Sequence, residues 1–211
     1  MTNFIPVFPL GIVVYPGEIL NLHIFEPRYK QLISECAAAG KPFGIPVVVN
    51  DSIMDHGTLI SITRIEKTYD DGKMDIRCLG GDVFRLLEYV ATIPDKLYSG
   101  AIVTYPQNNL GHHPEMLRRI LAALRQLHSL LSIEKTYKKP DHQLRSYDIA
   151  HHAGLNLEQE YQLLLLLRED QRLEYLKRHL HSVLPVLKEM ETLKERVKLN
   201  GHFRELKSLG F

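Results

Sequence analysis

A chain of 211 residues, 45% hydrophobic and 24% charged, has the balance of a globular protein and the length for one large domain or two small ones. Its formal net charge of +1 supplies no overall field to gather nucleic acid or an anionic membrane. Residues 1–108 carry 9 basic and 12 acidic side chains and residues 109–211 carry 17 and 13, so a weakly basic second half is the only asymmetry. The opening MTNFIPVFPL lacks a positive segment and a long apolar core, and no run is long enough to span a bilayer. A cytoplasmic protein with no membrane partner is expected, with Cys36 and Cys78 as buried, reduced thiols.

In chain order, Val13 to Tyr15 read as a strand closed by a Pro16-Gly17 turn. Ile19, Leu20, Leu22 and Ile24 read as a strand buried on both sides. Glu26-Pro27 opens a helix, because proline has no N–H to lose at the first helical position. Its apolar face is Tyr29, Leu32, Ile33 and Cys36, and Gly40 is its left-handed stop. Ile45 to Val49 is a short strand, Asp51 to Gly57 a loop, and Leu59 to Ile65 an alternating strand. Tyr69 to Lys73 is a hairpin turn built on Asp71-Gly72, Met74 to Leu79 pairs back, and Gly80-Gly81 is a second turn. Val83 to Val90 and Ala101 to Tyr105 bring the count to about six strands, which suits a small barrel.

Pro106 to Pro114 is the expected boundary between a β-rich part, residues 1–108 with one helix, and a helical part, residues 109–200. Beyond it the apolar period lengthens from two to between three and four. Leu117, Ile120, Leu121, Leu124, Leu127 and Leu131 make one helix face, and Ser132 to Arg145 a polar, basic connection. A short helix over Tyr147 to Ala153 stops at Gly154, and Asn156 with Gln159 forms a capping box for the next. Leu163 to Leu167, five leucines in a row, mark the centre of the helical core. Asp170 caps a last helix with the face Leu173, Leu176, Leu180, Val183, Leu187 and Met190; Pro185 kinks it and Asn200-Gly201 end it. In the tail, residues 201–211, Phe203, Leu206, Leu209 and Phe211 are expected to dock on an apolar surface.

FPL near the start, the Pro-Gly turn, then LHIFEPRY and the PFG after the helix resemble the amino-terminal, substrate-binding domain of the Lon protease family. The similarity runs on through Gly57-Thr58, Asp71-Gly72 and LGGDVFRLLE, and covers roughly residues 4 to 190. It is nearest to the free-standing versions of that domain. The resemblance implies an α+β fold, a β-rich PUA-like pseudo-barrel followed by an α-helical bundle. It also implies a non-catalytic module that holds exposed apolar segments of unfolded or specific client proteins, with a separate protease or chaperone as a further partner. The groove is expected where barrel meets helices, with Tyr15, His23, Phe25 and Tyr29 as its binding residues. Phe25 and Tyr29 read equally well as core.

The chemistry of an enzyme is missing from the sequence. There is no phosphate-binding loop ending in Lys-Ser/Thr, no HExxH, CxxC or GxSxG motif, and no serine in the setting of the Lon Ser–Lys pair. A peptidase label would come from the family name alone, and no cofactor is implied. Eleven histidines invite a metal site. However, the pairs His112-His113 and His151-His152 point their members about 100° apart on a helix, so surface histidines are favoured. IAHHAGLNLEQEYQLL has the spacing of a helix-turn-helix, but its second helix has no basic residue before Arg168, so two packed helices are favoured. Glu26 with Arg28 reads as a helix-start ion pair, and Asp70, Asp71 and Asp75 as solvated turn residues. Lys135, Lys138, Lys139 and Arg145 read as a solvated loop, with an acidic partner or nucleic acid as the alternative. Two functional alternatives remain: an RNA-binding protein of PUA-like fold, and an enzyme with a histidine-rich site.

Overall fold

The Tyr69 to Lys73 turn folds two 17-residue strands, β4 (Ser52–Thr68) and β5 (Met74–Val90), onto each other, and the rest of the sheet is built around that hairpin. The computed structural model describes the backbone of residues 2–207 and the side chains of residues 2–197. The other strands are β1 (Thr2–Val7), β2 (Ile19–Ile24), β3 (Phe43–Val49) and β6 (Ser99–Thr104), and the order is β2-β5-β4-β3-β1-β6. β6 returns to the far half of β5, from Arg85 opposite Thr104 to Val90 opposite Gly100. Five strands therefore close into a barrel, and β2 lies outside it on the near half of β5. Helix α1 (Pro27–Ala39) buries Tyr29, Leu32, Ile33 and Cys36 against that near half and stops at Gly40, whose φ is 60°.

Several sequence expectations change here, each for a tertiary reason. Val13 to Tyr15 are not a strand. They form a buried strap across the barrel, without ladder partners; the Tyr15 N–H donates to Glu18 Oε2 at 2.9 Å and the Val14 carbonyl accepts from the Thr58 hydroxyl. Strand propensity measures packing as much as backbone preference, and the packing is satisfied without a sheet. Of the expected loop Asp51 to Gly57, all but Asp51 is strand: the turn is confined to Asn50-Asp51, whose φ values of 48° and 61° suit a two-residue hairpin. Gly80-Gly81 are not a turn. They lie inside β5 where its register against β4 shifts, and a Cβ on Gly80 would stand 2.3 Å from the Tyr15 carbonyl, so the strap passes directly over this point. β2 is not buried on both sides; its residues alternate, with Ile19, Asn21 and His23 exposed. β1 had no signal in the sequence reading and is held by six cross-strand pairs to β6.

The helical layer consists of α2 (Pro114–Leu130), α3 (Ser146–Ile149), α4 (Leu157–Leu165) and α5 (Glu169–Lys207). Leu117, Ile120, Leu121, Leu124 and Leu127 of α2 are buried as the period requires, while Leu131 falls past the helix end and is exposed. The capping box at Asn156 and Gln159 forms, at 2.9 and 3.0 Å. The five leucines span the end of α4: Leu163 and Leu164 are fully buried, and Leu166 and Leu167 belong to the connection into α5. Asp170 does not cap α5, which begins at Glu169; it binds Arg168 at 2.6 Å. α5 contains Pro185 and runs through Asn200 and Gly201 to Lys207, so those residues do not end it. Its face is buried at Leu173, Leu176, Leu180 and Leu184, and Met190 lies exposed beyond the packed part. The expected docking of Phe203, Leu206, Leu209 and Phe211 concerns side chains outside the described residues.

Val13, Tyr15, Val47 and Val83 join the leucines of α2, α4 and α5 in one apolar cluster. Each fully buried Leu or Val there contributes about 1.5–3 kcal/mol. Polar chemistry fixes the entry to α5. The Arg172 side chain is fully buried and donates to Asn108 Oδ1 at 2.9 Å, to the Leu166 and Asn109 carbonyls at 2.7 and 3.0 Å, and to Glu169 Oε2 at 2.9 Å. Glu169 accepts from the Ser146 N–H and hydroxyl at 2.8 and 2.6 Å. The connection from β6, the start of α3 and the start of α5 thus meet on one guanidinium.

Candidate functional site

A groove of about 650 Å³ lies where the barrel meets the helices, between the strap Gly11 to Leu20 and the α3–α4 region. Its apolar walls include Ile12, Val13, Leu20, Tyr147 and Leu157. The strap is bent into this place by the Pro16-Gly17 turn, and Tyr15 behind it stacks on Tyr147 at 5.1 Å.

Across the groove floor runs an ionic clasp. His151 Nδ1–H donates to Glu160 Oε1 at 2.7 Å and Nε2–H to Glu18 Oε2 at 3.1 Å. Burial favours the neutral imidazole, but the hydrogen bonds and charges of Glu160 and Glu18 outweigh it and raise the His151 pKa from 6.5 to about 9. At neutral pH an imidazolium sits between two carboxylates, with the Tyr15 ring 4.7 Å away and the Tyr15 hydroxyl donating to the Glu160 carbonyl at 3.1 Å. With both ring nitrogens protonated and occupied, His151 has no lone pair for base catalysis or metal binding. Among the described residues, no group of three or more His, Cys, Asp or Glu side chains is arranged to hold a metal ion.

A second groove, about 400 Å³, opens on the other side of the Pro16-Gly17 turn. It is lined by Ile19, Leu144 and the loop Lys135 to Lys139, and shares Gly17, Asp148 and His152 with the first. The first residues of β2 therefore border both.

The four residues singled out in the sequence do not converge. Tyr15 is buried behind the first groove, and burial holds its phenol far above the ordinary range. Tyr29 is core, stacked on Phe8 at 3.7 Å. His23 and Phe25 stack on each other on the exposed surface, 6.2 Å apart, and His23 binds Asp75 at 2.6 Å. Asp75 is not a free turn residue: it lies in β5, and the hydrogen bonds from His23 and the Tyr69 hydroxyl hold its carboxyl below the usual range. Glu26 and Arg28 form the expected ion pair at 2.8 Å. Of the histidine pairs, His112 and His113 are exposed and His152 is half-buried, while His151, also at the surface, is held between two carboxylates as the centre of the clasp. Sequence reading missed Glu18, His151 and Glu160 as a set. Glu18 and His151 are 133 residues apart, so no local pattern joins them.

The same architecture occurs in known proteins. Residues 5–182 match the family described as the ATP-dependent protease La (LON) substrate-binding domain. The chain belongs to this Lon family. Among solved structures, the Lon N-terminal domain protein from Xanthomonas campestris matches with a TM-score of 0.62 at 24% identity, over 83% of this chain and 98% of that one. The N terminal domain of Mycobacterium avium complex Lon protease matches with a TM-score of 0.63 at 16% identity, over 85% and 98%. At these identities the likeness speaks to the fold. The family match makes the chain a Lon-type substrate-recognition module, and in Lon that domain is non-catalytic.

Proposed function

We propose that the chain holds exposed apolar segments of protein substrates in the groove between strap and helices, without transforming them, for a separate protease or chaperone to act upon. The observation that carries this reading is the groove itself. It is open, walled by Ile12, Leu20, Tyr147 and Leu157, and floored by a clasp whose every proton is already committed. A surface that is apolar and chemically inert suits holding. The family membership adds protein as the class of ligand.

The test is fluorescence anisotropy with labelled lactalbumin, reduced and carboxymethylated so that it stays unfolded, against the native form. The unfolded probe binds, the native one does not, and the probe is recovered at full length with or without ATP. Ile12→Glu, on the groove wall, weakens binding about tenfold or more. Equal affinity for both forms, or an Ile12→Glu variant that binds as well as the parent, would sink the idea.

A further inference from the structure

Outside the closed barrel two sheet edges remain among the described strands: β2, and β4 beyond Ile60, where β3 no longer reaches and Arg64, Glu66 and Lys67 supply charge; within it β1 meets β3 only at Val7 and Gly44. β2 pairs only with β5, and its other side has no strand. Gly17 N–H donates to the Gly80 carbonyl and Gly80 N–H to the Glu18 carbonyl, and the register continues Leu20 opposite Cys78 and Leu22 opposite Ile76. By the alternation of an antiparallel ladder, the backbone groups of Leu20, Leu22 and Ile24 face β5, and those of Ile19, Asn21 and His23 face outward. None of these outward groups has a hydrogen-bond partner among the described residues outside the ladder. Proteins protect such edges with lysine, proline, a bulge or inward charge. β2, ILNLHI, has no lysine, no proline and no register shift.

Among the side chains of the edge and the loop groove the carboxylates are engaged and several cations are not; Glu134, beside Lys135 but outside the groove lining, is also without an ion pair among the described residues. Glu18 is taken by His151, Asp75 by His23 and Tyr69, and Asp148 by Lys139. Arg77, exposed on β5 opposite Asn21, and Lys135 and Lys138 on the loop beside Ile19 have no carboxylate within 4.0 Å among the described residues. The loop groove also contains the Tyr137 hydroxyl, which is buried without a hydrogen-bond partner. The solvent face beside the edge is apolar at Ile19 and Leu79, which lie directly opposite each other and are 48% and 40% exposed.

We propose that the edge of β2 receives an extended segment of a protein substrate as an added strand, one that alternates apolar and acidic residues. This rests on the substrate-holding reading above and names the kind of segment held. Backbone pairing to Ile19, Asn21 and His23 supplies affinity independent of sequence, and the alternation of side chains supplies selection: apolar groups on the face of Leu20 and Leu22, toward the first groove, and carboxylates on the face of Ile19 and Asn21, toward Arg77, Lys135 and Lys138. At the Ile19 end the added strand runs into the loop groove beside Lys135 and Lys138.

The probe is a fluorescein-labelled peptide of about ten residues alternating Val and Glu, long enough to exceed the edge. Three comparisons accompany it: the same peptide with Lys for Glu, and two versions N-methylated on alternate residues, one for each edge of the peptide. The Val–Glu peptide binds, the Val–Lys peptide binds about tenfold or more weakly, and one N-methylated version loses binding while the other keeps it. Asn21→Pro removes an outward N–H that the β2–β5 ladder does not use, and lowers affinity by a similar factor at an unchanged thermal midpoint. If both N-methylated peptides bind like the parent, there is no strand addition, and this result does not depend on any variant folding. If Asn21→Pro leaves peptide binding intact while Ile12→Glu still abolishes binding of unfolded lactalbumin, the edge inference fails and the substrate-holding reading stands. If the wild-type chain binds neither probe, both fail. A wild-type dimer that Asn21→Pro converts to monomer gives the edge to a second copy of the chain and overturns the inference.

Discussion

Two ionic clusters join the helices to the rest of the molecule, and they are built for different purposes. The Arg172 cluster is dry. Its guanidinium and the Glu169 carboxylate are 0% and 3% exposed, and every donor points at an oxygen of the chain. The His151 cluster is wet: its imidazole, Glu18 and Glu160 are 30%, 29% and 16% exposed and form the floor of an open groove. The first joins segments that are close in the helical layer. The second reaches from the strap to the helices. A dry cluster cannot lose one partner without stranding a charge, whereas a wet one can be hydrated, titrated or remodelled.

The largest effect tests the dry cluster. Arg172→Ala leaves Glu169 buried without its counter-charge and costs about 3–5 kcal/mol in urea unfolding. If the loss is under about 1 kcal/mol, water reaches Glu169 and the contrast between the clusters collapses.

The wet cluster is sharpened by pH. The folded His151 pKa, about 9, lies above its unfolded value of 6.5. Its stabilisation is therefore complete below pH 6.5 and lost as pH rises to about 9. The difference between wild type and His151→Gln should be on the order of 2–3 kcal/mol at pH 6 and close to zero near pH 10, measured by urea unfolding across that range. A difference that does not change with pH would show that His151 acts through packing rather than charge.

Glu18→Gln removes one of the two carboxylates and is worth about 1–2 kcal/mol near neutral pH. The sharper readout is the His151 ring in an NMR titration, whose midpoint should fall toward the ordinary value; an unmoved midpoint would assign the whole shift to Glu160. Smallest is Asn156→Ala, which uncaps the helix that carries Glu160 and costs about 1 kcal/mol by thermal unfolding. An equal loss in the His151→Gln background separates the cap from the clasp, and coupling between the two would show that the cap positions Glu160.

Helices were the legible part of this chain. Their periods, the proline at the start of α1, the Gly40 stop and the Asn156–Gln159 box are local statements, readable within a turn or two of sequence, and they stand as expected. The strands were less so. A period of two shows that a stretch can be extended but not what it pairs with. Val13 to Tyr15 had strand composition and became a strap, while Thr2 to Val7 had a proline within it and became a barrel strand. Gly80-Gly81 had the composition of a turn, and only the strap crossing above shows why the residues are small.

What the sequence determined by itself was the α+β class, the Lon-type family through HIFEPRY and its neighbours, and the absence of familiar catalytic motifs, because each is carried by residues close in the chain. What only the tertiary structure decided was where ligands can go. Tyr15 and Tyr29 turned inward, His23 and Phe25 outward, and Glu18, His151 and Glu160 came together from three separate segments. The free edge of β2 belongs to the same category: an edge is a statement about missing neighbours, and neighbours in a sheet are chosen by the closure of the barrel, not by the strand.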